Sequence, residues 1–189
     1  MVQSLSWPDI KTEFDESLGY VRQDIRWLQQ HNSDLNYTVA LLVGCGCEML
    51  AAAGGDKRRR GEAVFAELLP VGDWRLLANR LYTALRDGLA HGFDTKHLDV
   101  DGQAIQIHIS SLYQEVIAIQ RFDKGLRLWV GVEHLADALC AQIDKFENVL
   151  QQDESARKRF REACEYQRLA ALNQNEAAAW RRLAAHARF

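Results

Sequence analysis

The chain has 189 residues, 48% of them hydrophobic and only two of them proline, which excludes a disordered or collagen-like polypeptide and favours packed helices. A formal charge of −3 gives no global pull toward nucleic acid, so any RNA contact has to come from a local patch.

The first residues, MVQSLSWPDIKTEFDE, lack a basic segment followed by an apolar core and do not read as a signal peptide. Ser6-Trp7-Pro8-Asp9 predicts a helix start, with a capping serine, proline in the first turn and an acid behind it. Ile10, Phe14, Leu18, Val21, Ile25 and Leu28 recur at helical spacing and carry that helix to about Gln30. A turn over His31–Asp34 leads to a second helix, about Leu35–Ala53, apolar on nearly every side and therefore central. The apolar run within it, Tyr37–Ala53, is interrupted by Gly44, Gly46 and Glu48. It is too short and mixed for a membrane span, so a soluble cytoplasmic protein is expected.

Gly54-Gly55 ends this helix, Lys57–Arg60 reads as an exposed basic loop, and a short helix over Glu62–Leu69 stops at Pro70. Gly72-Asp73 opens a long helix to about His91. Its core face holds Trp74, Leu77, Ala78, Leu81, Leu85, Gly88 and Leu89, and its opposite face Arg75, Asn79, Tyr82, Thr83, Arg86 and Ala90. Ile105, Ile107 and Ile109 alternate with polar residues as in a strand. Two more strands are predicted over Glu115–Phe122 and Leu126–Val130, joined by a three-residue hairpin with Gly125 at the left-handed position. Helical spacing resumes near Val132 and holds to about Leu150. Further helices are expected from Asp153 or Ser155 to Leu172 and over Glu176–Ala187.

The expected fold is mainly α: an antiparallel helical bundle with a small three-stranded antiparallel β insertion at about 101–131. A C-terminal helical extension occupies about 151–189, all within a single domain 1–189. Cys45, Cys47, Cys140 and Cys164 read as free buried thiols. Neither they nor His97, His108 and His134 have ligand spacing, so no metal and no cofactor is expected.

The segment Leu81–Asp94, LYTALRDGLAHGFD, carries Arg86 and His91 five positions apart at a helix end. The pattern Arg-x-x-x-x-His with a polar residue, Asp87, after the arginine resembles the motif of HEPN domains (higher eukaryotes and prokaryotes nucleotide-binding). The resemblance implies a compact helical bundle, a homodimer whose two motifs line one cleft, and metal-independent endoribonuclease activity. A toxin-like or defence-associated role, with a cognate antitoxin or other partner protein, follows from the same resemblance. Where that family commonly has a polar residue, frequently Asn, this chain places the charged Asp87 beside the arginine.

The chemistry suits the residue types. Metal-free RNA cleavage needs proton transfer at the ribose 2′-hydroxyl and at the leaving 5′-oxygen, a task for His91. A guanidinium such as that of Arg86 binds the charged phosphoryl oxygens in a fork. Five helical positions amount to about 140° of rotation. The two groups therefore meet if the helix unwinds at His91 or if each faces a second subunit.

Glu48 is the sole charge between Leu35 and Ala53 and is expected to be buried. It either orients Arg86 or tunes His91, or forms a structural ion pair with Arg75 or Arg80. Asn79 and Tyr82 share the face of Arg86 and either support RNA binding or, for Tyr82 above all, pack a dimer interface. The bland alternatives are a dipole-capping histidine and an ordinary surface arginine. On that reading the chain is a non-catalytic helical interaction or nucleotide-binding module. The basic group Arg157, Lys158, Arg159 and Arg161 reads as a solvated helix face or a nucleic-acid track.

Overall fold

The N-terminal periodicity produces one long helical run interrupted by a wider turn: α1 (Pro8–Phe14), a π-helical turn (Asp15–Gly19) and α2 (Tyr20–His31). At its start the Ser6 backbone amide and hydroxyl both donate to the Asp9 carboxylate, at 2.7 and 2.6 Å. These bonds hold the Asp9 pKa below its ordinary value and join the entering strand to the first turn. In the π turn the Ser17 hydroxyl donates to the Glu13 carbonyl at 2.6 Å and lies 3.2 Å from that of Phe14, competing with the regular backbone ladder. The computed structural model describes residues 4–31, 36–54, 60–92, 98–122, 125–168 and 179. Residues 32–34 of the predicted turn over His31–Asp34, residues 57–59 of the basic loop and the predicted final helix, apart from residue 179, lie outside the described residues, and His31 itself closes α2.

The apolar second helix, α3 (Asn36–Ala53), is central as its composition requires, and contacts helices on several sides and the sheet. It is the one helix among the described residues long and apolar enough to cross a membrane, with half of that window buried. Around it lie α4 (Gly61–Leu68), α6 (Ala78–Gly92), α7 (Val132–Gln152) and α8 (Glu154–Arg168), with the short α5 (Asp73–Leu76) against α4 and α6. The expected single helix from Asp73 is divided at Leu77 into α5 and α6, which leaves Leu77 exposed rather than in the core. Ile10, Phe14, Leu18, Ile25, Leu81, Leu135, Leu139, Ile143, Leu150 and Phe160 are almost fully enclosed in a shared core.

The expected three-stranded antiparallel insertion needs correction. The sheet has four strands, β1 (Leu98–Val100), β2 (Gln103–Ser110), β3 (Ile117–Phe122) and β4 (Gly125–Gly131), in the order β1-β2-β4-β3. β2 pairs with β4 in parallel, while β1–β2 and β3–β4 are antiparallel. The unpredicted β1 is joined to β2 by Asp101-Gly102, both at positive φ, 52° and 78°, as a two-residue hairpin turn demands. Asp99 fixes that turn by accepting from the Gly102 amide at 2.9 Å. Phe122 pairs with Gly125, so the other hairpin is one residue tighter than expected.

A parallel pair forces the chain after β2 to cross beyond β4 before entering β3. The crossing backbone occupies the space beside Gly131, where a Cβ would lie 2.0 Å from the Glu115 carbonyl oxygen and 2.9 Å from that of Tyr113. Tyr113 from this crossing stacks on Trp129, which also meets His108 with ring centroids 4.9 Å apart. His108 is thus half-buried among aromatic rings rather than on an open strand face. The other face of the sheet sends Ile105, Ile107, Ile117, Leu128 and Val130 into the core, and β2 and β4 pack against α7.

Candidate functional site where α3, α4 and α6 meet

α6 buries a wide arc because it packs on both α3 and α4. Ala78, Leu81, Tyr82, Ala84, Leu85 and Leu89 are all buried, while Asn79, Arg80 and Arg86 are exposed and Thr83 is half-buried. Tyr82, expected on the opposite face and in a dimer interface, is only 4% exposed within one chain. Its ring meets Phe65 of α4 edge-on, with centroids 5.6 Å apart.

Two cross-helix pairs set the register of α3 against α6. Gly44 faces Arg86 so closely that a Cβ on it would lie 3.3 Å from the Arg86 Cγ and 3.4 Å from its Cβ. One turn along α3, and one turn back along α6, the Tyr82 hydroxyl donates to Glu48 Oε1 at 2.7 Å. The aliphatic stem of Arg86 therefore rests on bare α3 backbone, with its attachment fixed beside the Glu48–Tyr82 pair.

Glu48 corrects a second expectation. It lies on the exposed face of α3, not in the core, so no burial penalty forces a salt bridge on it. Its Oε2 accepts from the Gly61 amide at 3.3 Å, at the first residue of α4. Arg60, the residue preceding that helix, supplies no side-chain cap, so a carboxylate from α3 satisfies the open amide end of α4. Gly61 leaves the room this needs, since a Cβ there would lie 2.6 Å from the Tyr82 hydroxyl and 2.8 Å from the Glu48 carboxyl carbon. Arg75, one of the partners expected for Glu48, instead donates to the Leu69 carbonyl at 3.4 Å.

Burial first, then the hydrogen bond to Glu48, push the Tyr82 pKa above its ordinary value, and the Arg86 charge opposes this without reversing it. Tyr82 is therefore a protonated donor at every physiological pH. Tyr82→Phe is expected to cost about 1 kcal/mol, the worth of one ordinary hydrogen bond. Thermal unfolding should show a fall of about 2–4 °C.

α6 continues without unwinding through His91 to Gly92, which removes the route to convergence that depended on the helix opening at His91. The side chains of His91 and Asp87 lie outside the described residues. Arg86 is brought together with Gly44, Tyr82 and Glu48, while Asn79 lies two turns earlier on the exposed side of α6. The cap that Glu48 places on α4 was not foreseen from the sequence. The lone acid in an apolar helix was its available signal.

The second basic group does not form an open track. Arg157 donates to the carbonyls of Leu5 and Leu150, at 2.6 and 2.7 Å, and Arg161 to those of Asp9 and to Glu13. Lys158 pairs with Glu154 at 2.8 Å. Cys47 and Cys140 are buried free thiols, whereas Cys45 is exposed on α3 and Cys164 is half-buried. Among the described residues no three His, Cys, Asp or Glu side chains are grouped to hold a metal ion.

Comparison with protein-family models, with curated proteins and with solved structures finds no match for this chain.

Proposed function

We propose that the chain is a metal-independent endoribonuclease of HEPN type, an antiparallel helical bundle in which Arg86 binds the scissile phosphate and His91 transfers protons. The observation that carries this reading is the mounting of Arg86: exposed, seated on Gly44, and one turn from a fixed carboxylate. Seating the Arg86 stem on Gly44 narrows where the exposed side chain carries its charge, and a positive charge aimed at a charged transition state is what a site without metal needs most. Arg60 adds an exposed cation at the start of α4, next to the Gly61 amide that Glu48 caps. Asn79 extends the polar side of α6 from Arg86 and could contact ribose or phosphate.

The unbroken α6 gives the assembly its reason. Arg86 and His91 are separated by about 140° around the helix axis, so a homodimer that brings the two copies of the motif to one cleft completes the site. The cytoplasm is the proposed setting, and a toxin-like or defence role with a cognate antitoxin accompanies the HEPN reading.

Purified protein in EDTA is expected to cleave single-stranded RNA. Arg86→Ala and His91→Ala should each lower the rate by about 10²-fold or more, the usual scale for losing charge stabilisation or proton transfer. Arg86 is exposed, so its variant should melt close to wild type. RNA left intact at high protein concentration would instead support a non-catalytic helical interaction or nucleotide-binding module.

A further inference from the structure

Metal-free transesterification moves two protons at once, one from the attacking 2′-hydroxyl and one to the departing 5′-oxygen. A single imidazole serves one of these at a time. The reaction calls for both a base and an acid, and the described face of Arg86 offers a carboxylate for the first.

We propose that Glu48 is the catalytic base of the Arg86 site, and this rests on the ribonuclease reading above. Glu48 is an exposed residue of α3. Tyr82 donates to Oε1 at 2.7 Å and the Gly61 amide to Oε2 at 3.3 Å, which orients the group. Each carboxylate oxygen keeps a further acceptor direction after these bonds. Glu48 and Gly44 are four residues apart on α3, about 6 Å along the axis, and Gly44 seats Arg86. Glu48 thus lies one helical turn from the attachment of Arg86, and the proposed arrangement sets the phosphate on the guanidinium and the ribose toward Glu48. Tyr82 is not a candidate for either proton, because its hydroxyl is buried and committed to Glu48 and to the Gly44 carbonyl.

The step balances without any co-reactant. The 2′-O–H bond breaks and its proton passes to a Glu48 oxygen while the 2′-oxygen bonds to phosphorus. The bond from phosphorus to the 5′-oxygen breaks, and His91 protonates that oxygen. A 2′,3′-cyclic phosphate and a free 5′-hydroxyl result. Glu48 then returns its proton to solvent and His91 regains one.

The test separates base from acid by the leaving group. Wild type, Glu48→Gln and His91→Ala are assayed in EDTA on RNA and on uridine 3′-(4-nitrophenyl phosphate), whose nitrophenolate departs without protonation. Glu48→Gln is expected to lower kcat by about 10²–10⁴-fold on both substrates. His91→Ala should lose a similar factor on RNA and recover to within about tenfold of wild type on the aryl ester. Gln can accept from the Gly61 amide with its oxygen and donate its amide N–H to the Tyr82 oxygen, whose hydroxyl then donates to the Gly44 carbonyl, so the variant should stay folded. Should it fail to fold, Glu48→Asp keeps the charge, withdraws it by one methylene and is expected to lose about 10²-fold on both substrates. Glu48 variants that keep near-wild-type rates, or that recover on the aryl ester as His91→Ala does, overturn the base assignment while the ribonuclease stands. A wild-type protein that cleaves neither substrate overturns both.

Discussion

Phe160→Ala is expected to destabilise the protein by about 3–5 kcal/mol, the cost of removing a large aromatic side chain from a closed core. For a chain of this size that corresponds to a fall in melting temperature of about 6–20 °C. Phe160 is 1% exposed, and its ring meets those of Phe14 and Phe146, with centroids 6.3 and 6.0 Å apart. The pocket is closed on three sides by different helices, so the neighbours cannot collapse into the void without moving backbone. Val149→Ala is the matched control, since Val149 is 46% exposed and should change stability by less than about 0.5 kcal/mol. Equal melting of the two variants would show that α8 is not packed as described. The consequence reaches further than one residue. The part of the chain read from sequence as a C-terminal extension contributes through α8 to the core itself, and Arg157 and Arg161 fasten it to the backbone before and within α1.

Gly46→Val is expected to have an effect of at least similar size, about 3 kcal/mol or more, because overpacking and a branched residue act together on the central helix. A Cβ at Gly46 would lie 2.6 Å from Leu139 Cδ2 and 3.0 Å from Val21 Cγ1, so α2, α3 and α7 would all have to separate. Leu139 is fully buried, so its side chain has no solvent to move into. Gly44→Ala gives the graded comparison, because its added Cβ would lie 3.3 and 3.4 Å from the Arg86 Cγ and Cβ, a milder contact than those at Gly46. Urea unfolding of the pair should place the Gly46 variant far below the Gly44 variant. A Gly46→Val protein as stable as Gly44→Ala would contradict the close crossing of these three helices.

The two glycines also show what the candidate site owes to tertiary packing. Both are separated by one residue in a helix of unremarkable spacing, and nothing local distinguishes them. One admits two neighbouring helices and the other seats the arginine proposed to bind phosphate. Similarly, the wheel of α6 placed Tyr82 with Arg86 on a polar face, a sound reading for a helix with one packed side. α6 is packed on two sides, by α3 and α4, and the wider buried arc takes Tyr82 into the core while leaving Arg86 outside. Glu48 was recognised as anomalous because a charge in an apolar helix needs an explanation. Its actual role, capping a helix that begins thirteen residues later, depends on the return of α4 to α3.

The β region teaches the same lesson with one difference. Val100-Asp101-Gly102-Gln103 is a local hairpin signal, legible from the Asp-Gly pair, and β1 could have been placed from it. The parallel pairing of β2 with β4 has no such local mark. It follows from a connection that crosses the sheet at Gly131, a glycine that by itself reads only as the boundary before α7.

Amino-acid order alone determined the helical character, the position of the apolar helix at the centre, and the strand content between the motif helix and Val132. These follow from periodicities of a few residues and from the cost of exposing apolar side chains, both of which are local properties. Folding in three dimensions decided which faces became core, how the strands were ordered, that α8 is built into the interior, and that Glu48, Tyr82, Gly44 and Arg86 form a single cluster. Those outcomes turn on which distant segment covers each face, a matter of long-range packing that short-range spacing does not encode.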